Sequence, residues 1–361
     1  MKKHVLLLVL LLVTSAAARA QWQIENSGTT ADLRGIDNVG GGVAWASGNN
    51  GTVLRTEDGG YLWQSCAIPP GAEHLDFRGI QAFDANTAIV MSSGKGDLSR
   101  LYKTTDGCHT WKLVFTNPDK DGFWDAIKAG TRDKPSILGD PLVLGDPVGG
   151  QISLFTMATD GTGNWGKIRD SLGLKSNQGE AIFAASNSSL LVLGETAIFA
   201  SGGPSGSRIF VECDYCDSRM FYAHPVPFQR GESAGVFSIA DRDAHLLVAV
   251  GGDYANPDES AATAAYSDDS GKSWRSADSP PHGFRSAVAY DAPSKTWITV
   301  GPNGTDVSTD DGRNWRALHP DPALHEAPDA DRNWNALSLP FVVGPHGRIG
   351  KLDPRALDRA K

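Results

Sequence analysis

Three arginines, Arg34, Arg78 and Arg285, and two carboxylates, Asp125 and Glu180, hold like places in short segments that recur along the chain. The segments read Leu33-Arg34-Gly35-Ile36, Phe77-Arg78-Gly79-Ile80, Trp124-Asp125-Ala126-Ile127, Gly179-Glu180-Ala181-Ile182 and Phe284-Arg285-Ser286-Ala287. Guanidinium groups grip oxyanions in a bidentate fork, so side chains gathered this way would bind a small anionic ligand such as a carboxylated sugar. The same charges would serve equally well as inter-blade ion pairs that bridge neighbouring strands. Asp146, Asp253 and Glu180 supply further carboxylates and Tyr254 a phenol, the groups that glycoside hydrolysis uses. Carboxylates imply that chemistry only when their separation is right, and the sequence does not give it.

Other motifs fail on context. Gly231-Glu232-Ser233-Ala234-Gly235 has the spacing of a nucleophile elbow, which needs a strand before it and a helix after it; here Pro225 and Pro227 precede it and a strand-like Val236 to Ala240 follows. Gly271-Lys272-Ser273 ends like a phosphate-binding loop, but Tyr266 stands where the first glycine belongs. Asn117 to Gly122 begins like a calcium loop, yet Lys128 replaces the bidentate glutamate. Cys213-Asp214-Tyr215-Cys216 has no second pair to complete a structural zinc site. We therefore expect no metal and no cofactor.

The elements that must position these residues are repeated. Thr56 to Trp63 follows the pattern Ser/Thr-x-Asp-x-Gly-x-x-Trp, as do Ser267 to Trp274 and Ser308 to Trp315. Thr104 to Trp111 repeats it with Cys108 in the glycine place, and Ala158 to Trp165 is a degraded copy. Their aspartates, Asp58, Asp106, Asp160, Asp269 and Asp310, fall at intervals of about 40 to 55 residues, with one double interval. A unit that has lost its box fits Glu180 to Pro225, where Leu190 to Leu193 and Arg208 to Val211 read as strands. Adding Val236-Phe237-Ser238-Ile239 and Trp334-Asn335-Ala336-Leu337 to the five segments above makes seven openings.

The predicted fold is therefore all-β, a seven-bladed propeller of four-stranded antiparallel blades. The last unit lacks a box and an outer strand, and Trp22-Gln23-Ile24-Glu25 supplies one, closing the ring and hiding sheet edges. Within each box, aspartate accepts hydrogen bonds from turn N–H groups, glycine supplies positive φ and tryptophan covers apolar surface. The five box aspartates are accordingly read as structural.

Residues 1–20 read as an export signal, with Lys2 and Lys3 ahead of an apolar run and Ala18-Arg19-Ala20 before a cleavage point after Ala20. Residues 21–361 would form one propeller domain, periplasmic or secreted. No later segment is apolar for the roughly 20 residues that span a bilayer, so stable membrane insertion is not expected. The net charge of −9 argues against a nucleic-acid partner, which lysine and arginine must neutralise. In an oxidising compartment the four cysteines form disulfides. The expected pairs are Cys66–Cys108, between the outer parts of the first two blades, and Cys213–Cys216, across the turn replacing the lost box, although four cysteines leave three connectivities open.

With these boxes, and with Gly139-Asp140-Pro141, Gly145-Asp146-Pro147, Phe237-Ser238-Ile239-Ala240, Gly251-Gly252-Asp253-Tyr254 and Gly344-Pro345-His346-Gly347, the chain resembles the BNR/Asp-box propellers. Within them it is similar to the photosystem II stability and assembly factor-like proteins. The resemblance implies a platform that binds a protein partner or small anionic ligand, without turnover. The alternative is a sialidase-like glycoside hydrolase acting at the channel mouth with Arg34, Arg78, Arg285, Glu180 and Tyr254. Its Arg-Ile-Pro signature is missing near the N-terminus.

Overall fold

The computed structural model describes residues 21–361 except 131–135, 137, 139, 159–162, 169–171, 214–219, 323–325 and 359–361. The expectations for the export signal, Asp160 and Cys216 lie outside the described residues. Seven four-stranded antiparallel sheets follow one another along the chain. The first blade comprises Leu33–Gly40, Val43–Gly48, Val53–Thr56 and Gln64–Ser65, and the second Phe77–Ala82, Ala88–Ser92, Arg100–Thr104 and Lys112–Thr116. The third to sixth begin with Trp124–Lys128, Leu190–Leu193, Ala234–Asp241 and Ala287–Asp291.

The seventh blade joins Ala336–Ser338, Phe341–Val343 and Ile349–Leu352 to the N-terminal strand Trp22–Glu25. Trp22 lies opposite Leu352 and Glu25 opposite Ile349, the predicted closure. Trp22 is buried, packs against Trp334 at 6.1 Å between ring centroids, and donates its indole N–H to Thr305 Oγ1 of the sixth blade at 3.1 Å.

The inner strands are apolar on both faces because each sheet is covered by two neighbours. The core is accordingly divided among the interfaces between blades. Trp45 and Val53 of the first blade meet Phe77, Ile80, Val90 and Tyr102 of the second, and Ile298 and Val307 of the sixth meet Trp334 and Val342 of the seventh.

The four described boxes share one hydrogen-bond pattern. In the first, the Thr56 hydroxyl donates to Asp58 Oδ1 and accepts from Gly60 N–H, while Asp58 Oδ1 also accepts from Leu62 N–H. Asp106, Asp269 and Asp310 repeat these bonds. Cys108 replaces the box glycine and adopts the same positive φ, 67°, an unfavourable conformation for a side-chain-bearing residue. It is held there by a disulfide to Cys66, with Cα atoms 5.3 Å apart, joining the first two blades as expected.

The fourth blade departs from the expected opening. Gly179 to Ile182 forms no strand beyond an isolated bridge between Ala181 and Gly202, and the sheet starts at Leu190. Ala184 to Ser189 instead runs across the axis of the ring. Asn187 accepts from Ile127 N–H of the third blade at 2.8 Å and donates to Ile80 O of the second at 3.0 Å. Ser186 donates to Ser286 O beside the sixth blade, and Ser188 shares a hydrogen bond with Ser238 of the fifth. A Cβ on Gly79 would stand 2.8 Å from Asn187 Oδ1, which is why an inner strand carries glycine there.

Candidate functional site

Above this crossing segment the ring opens into a cavity of about 460 Å³ lined by Arg34, Arg78, Asp125, Asp146, Phe123, Phe183, Phe237, Phe284, Tyr254 and Asn335, among others. Four of these side chains owe their direction to one device. The pairing of the first and second strands skips a residue between Leu33 and Gly35, Phe77 and Gly79, Trp124 and Ala126, and Val236 and Ser238. The skipped residues are Arg34, Arg78, Asp125 and Phe237. A β-bulge of this kind leaves its extra residue unpaired and re-aims the side chain, here towards the axis.

Two predicted members are elsewhere. Arg285 precedes a strand without a bulge, so Phe284 and Ser286 line the mouth and its guanidinium turns inward, 1% exposed, to Asp306. Its Nε donates to Asp306 Oδ2 at 2.8 Å, and Asn303 is a further partner. Glu180 forms a bidentate ion pair with Arg208 of its own blade, accepts from the Ser201 hydroxyl, and is buried. Both ion pairs lie within one blade, neither reaching the mouth nor bridging neighbouring blades. Asp253 lies beside the mouth as the last residue of the fifth blade's second strand, where the Ser233 hydroxyl and Asn256 hold its carboxyl below the usual range. Ser233 leads into strand Ala234–Asp241, so no elbow helix follows it. Tyr254 does reach the mouth and is 55% exposed.

The polar half of the mouth is electrostatically unusual. Asp125 is 1% exposed, its Oδ2 has no hydrogen-bond partner, and burial, followed by repulsion from Asp146, pushes its carboxyl well above the normal range. Burial also raises Asp146, whose Oδ1 accepts from Ile182 N–H at 2.9 Å. Arg78 donates to Asp76 at 2.7 Å, and Arg34 Nε is buried without a partner. Unpaired buried polar atoms are costly, and two of them share this cavity.

The other half is aromatic. Phe183 and Phe237 stack with centroids 4.0 Å apart, and Phe284 and Tyr254 meet Phe237 edge-on at 4.7 and 6.0 Å. Phe183 rests on two glycines, Gly202 and Gly235, whose Cα atoms are too close to admit side chains. Phe183 and the crossing segment escape the sequence pattern because the fourth blade aligns on Glu180, and Phe123, just ahead of the third blade's first strand, lies outside the repeated opening. The signal available was Ile182-Phe183-Ala184, apolar residues at an opening where other blades place charge.

A larger cavity of about 690 Å³ lies at the outer closure, lined by Glu25, Tyr61 and Lys351 among others. Its charged groups are engaged in joining blades: Lys351 donates to Gly59 O, and Glu25 accepts from the Trp63 indole at 2.8 Å. Among the described residues no group of three or more potential metal ligands occurs, and no helix is long and apolar enough to cross a membrane.

No protein-family model matches the chain, and no curated protein matches it. Solved structures do. YCF48 bound to a D1 peptide aligns with a TM-score of 0.60 at 17% identity, covering 93% of this chain and 97% of that one. YCF48 from Cyanidioschyzon merolae aligns with a TM-score of 0.60 at 18% identity, covering 93% and 99%. At such identities the likeness is one of fold, and it spans nearly the whole propeller.

Proposed function

We propose that this propeller is a binding platform without turnover, which receives an anionic segment of a protein partner at the mouth of its ring. The observation carrying this reading is the convergence of Arg34 and Arg78, brought in by bulges from adjacent blades, on a cavity with unpartnered buried polar atoms. That a neighbour of the same fold, YCF48, holds a D1 peptide supports a peptide as the ligand class. The hydrolase reading loses support because Glu180 and Arg285 are occupied by Arg208 and Asp306, so its constellation of residues does not assemble. The disulfide between Cys66 and Cys108 supports export to an oxidising compartment, with residues 1–20 as its signal.

The test is selection of a displayed random-peptide library on immobilised protein, with an Arg34→Ala/Arg78→Ala double variant as counter-target. Acidic sequences enriched on the native protein and lost on the variant are expected. Enrichment indifferent to both arginines, or hydrolysis of a sialyl or other glycosyl substrate, would overturn the reading.

A further inference from the structure

The two halves of the mouth differ in kind. One holds Arg34, Arg78, Asp125 and Asp146, and the other holds Phe183, Phe237, Phe284 and Tyr254. Phe183, Phe237 and Phe284 form a small apolar cluster of their own, apart from the larger cores that seal neighbouring blades. Aromatic rings placed there, with Tyr254 uncovered beside them, offer a wall to another ring.

The charges restrict what the polar half accepts. Arg34 and Arg78 carry two positive charges, and Asp76 and Asp146, the carboxylates beside them, balance these when ionised. A carboxyl on Asp125 kept neutral adds no charge, and its buried Oδ2 is free to donate to an incoming oxygen. With these charges balanced, a monoanion leaves one uncompensated negative charge at the mouth and a dianionic phosphate two, so the smaller charge is favoured.

We infer that the mouth is a receptor for a carboxylate that carries an aromatic ring. Arg34 and Arg78 face the charge, Asp125 gives a hydrogen bond from its protonated carboxyl, and the phenylalanine wall takes the ring. This rests on the mouth being the binding site and narrows the chemistry of what binds there. The groups facing Asp125 are Asp146 on its own blade and Arg78 on the second, the latter paired with Asp76. Because Asp125 must hold its proton, affinity falls by up to about tenfold per pH unit above its folded pKa.

The experiment titrates the full chain with 3-phenylpropanoate by ligand-observed NMR at a series of pH values across the whole range in which the protein stays folded. Propanoate, 3-phenylpropanol and phenyl phosphate serve as comparisons. The expected result is binding of 3-phenylpropanoate at least tenfold tighter than each comparison, weakening as pH rises. Asp125→Asn, which preserves shape, should bind with little pH dependence, and Asp146→Asn should retain the dependence. Phenyl phosphate or propanoate binding as well, a flat pH profile in the native protein, or no binding at any pH would overturn the inference. The platform reading is judged separately, by peptide enrichment. Parallel titration with N-acetyl-Ala-Ala-Phe bearing a free carboxylate distinguishes the source: binding of both compounds supports a peptide end, and binding of 3-phenylpropanoate alone supports a free acid.

Discussion

Asp125 links the mouth of the ring to the stability of the fold. A carboxyl whose folded pKa exceeds its unfolded value binds its proton more tightly in the native state. The stability it permits is therefore complete below the unfolded carboxyl range and is lost as pH rises towards the folded pKa, by about 1.4 kcal/mol per pH unit. Asparagine does not titrate. Asp125→Asn should accordingly match the native protein near pH 4 and exceed it increasingly towards neutrality, as read by urea unfolding across that range. A difference independent of pH would show that Asp125 is ionised in the native protein. Arg285 and Glu180 illustrate the other outcome for buried charge, since each has a close partner of opposite sign.

At the scale of the element, the bulge decides which side chains face the axis, and it is also the feature a sequence hides best. Arg34, Arg78, Asp125 and Phe237 were legible as equivalent because the residues around them repeat. Arg285 occupies the same place in the repeat but lacks the bulge, and strict alternation along a strand then turns it away. The fourth blade was less legible still, since no box marks it and its opening residues leave the sheet. Blade number, the Trp22 closure and the strands outside the fourth blade's opening were readable, because they rest on repeated apolar patterns. The hydrogen bonds of Asn187 rest on contacts between residues dozens of positions apart, to which no local pattern corresponds. Asn187→Ala strands Ile127 N–H and Ile80 O, and should destabilise the protein by about 2–6 kcal/mol, from about 1–3 per orphaned group. Hydrogen exchange should quicken at Ile127 amide; unchanged protection there would remove the crossing segment from the support of the inner strands.

The whole molecule depends on a strand contributed from the other end of the chain. Trp22 fills the interface between the sixth and seventh blades and fixes the strand opposite Leu352. Trp22→Ala should cost about 3–5 kcal/mol, measured by thermal or denaturant unfolding. It should also leave Ile349–Leu352 prone to pairing with another chain, visible as concentration-dependent oligomers in sedimentation. A monomeric variant of native stability would mean that the ring closes by other contacts. The segment from Ala184 to Ser189 gives the closed ring a further property. Because it is bonded to blades on opposite sides of the axis, the disk is braced across its middle as well as around its rim. Under the proposed reading, a segment received at Arg34 and Arg78 would project from one face, presented and not threaded.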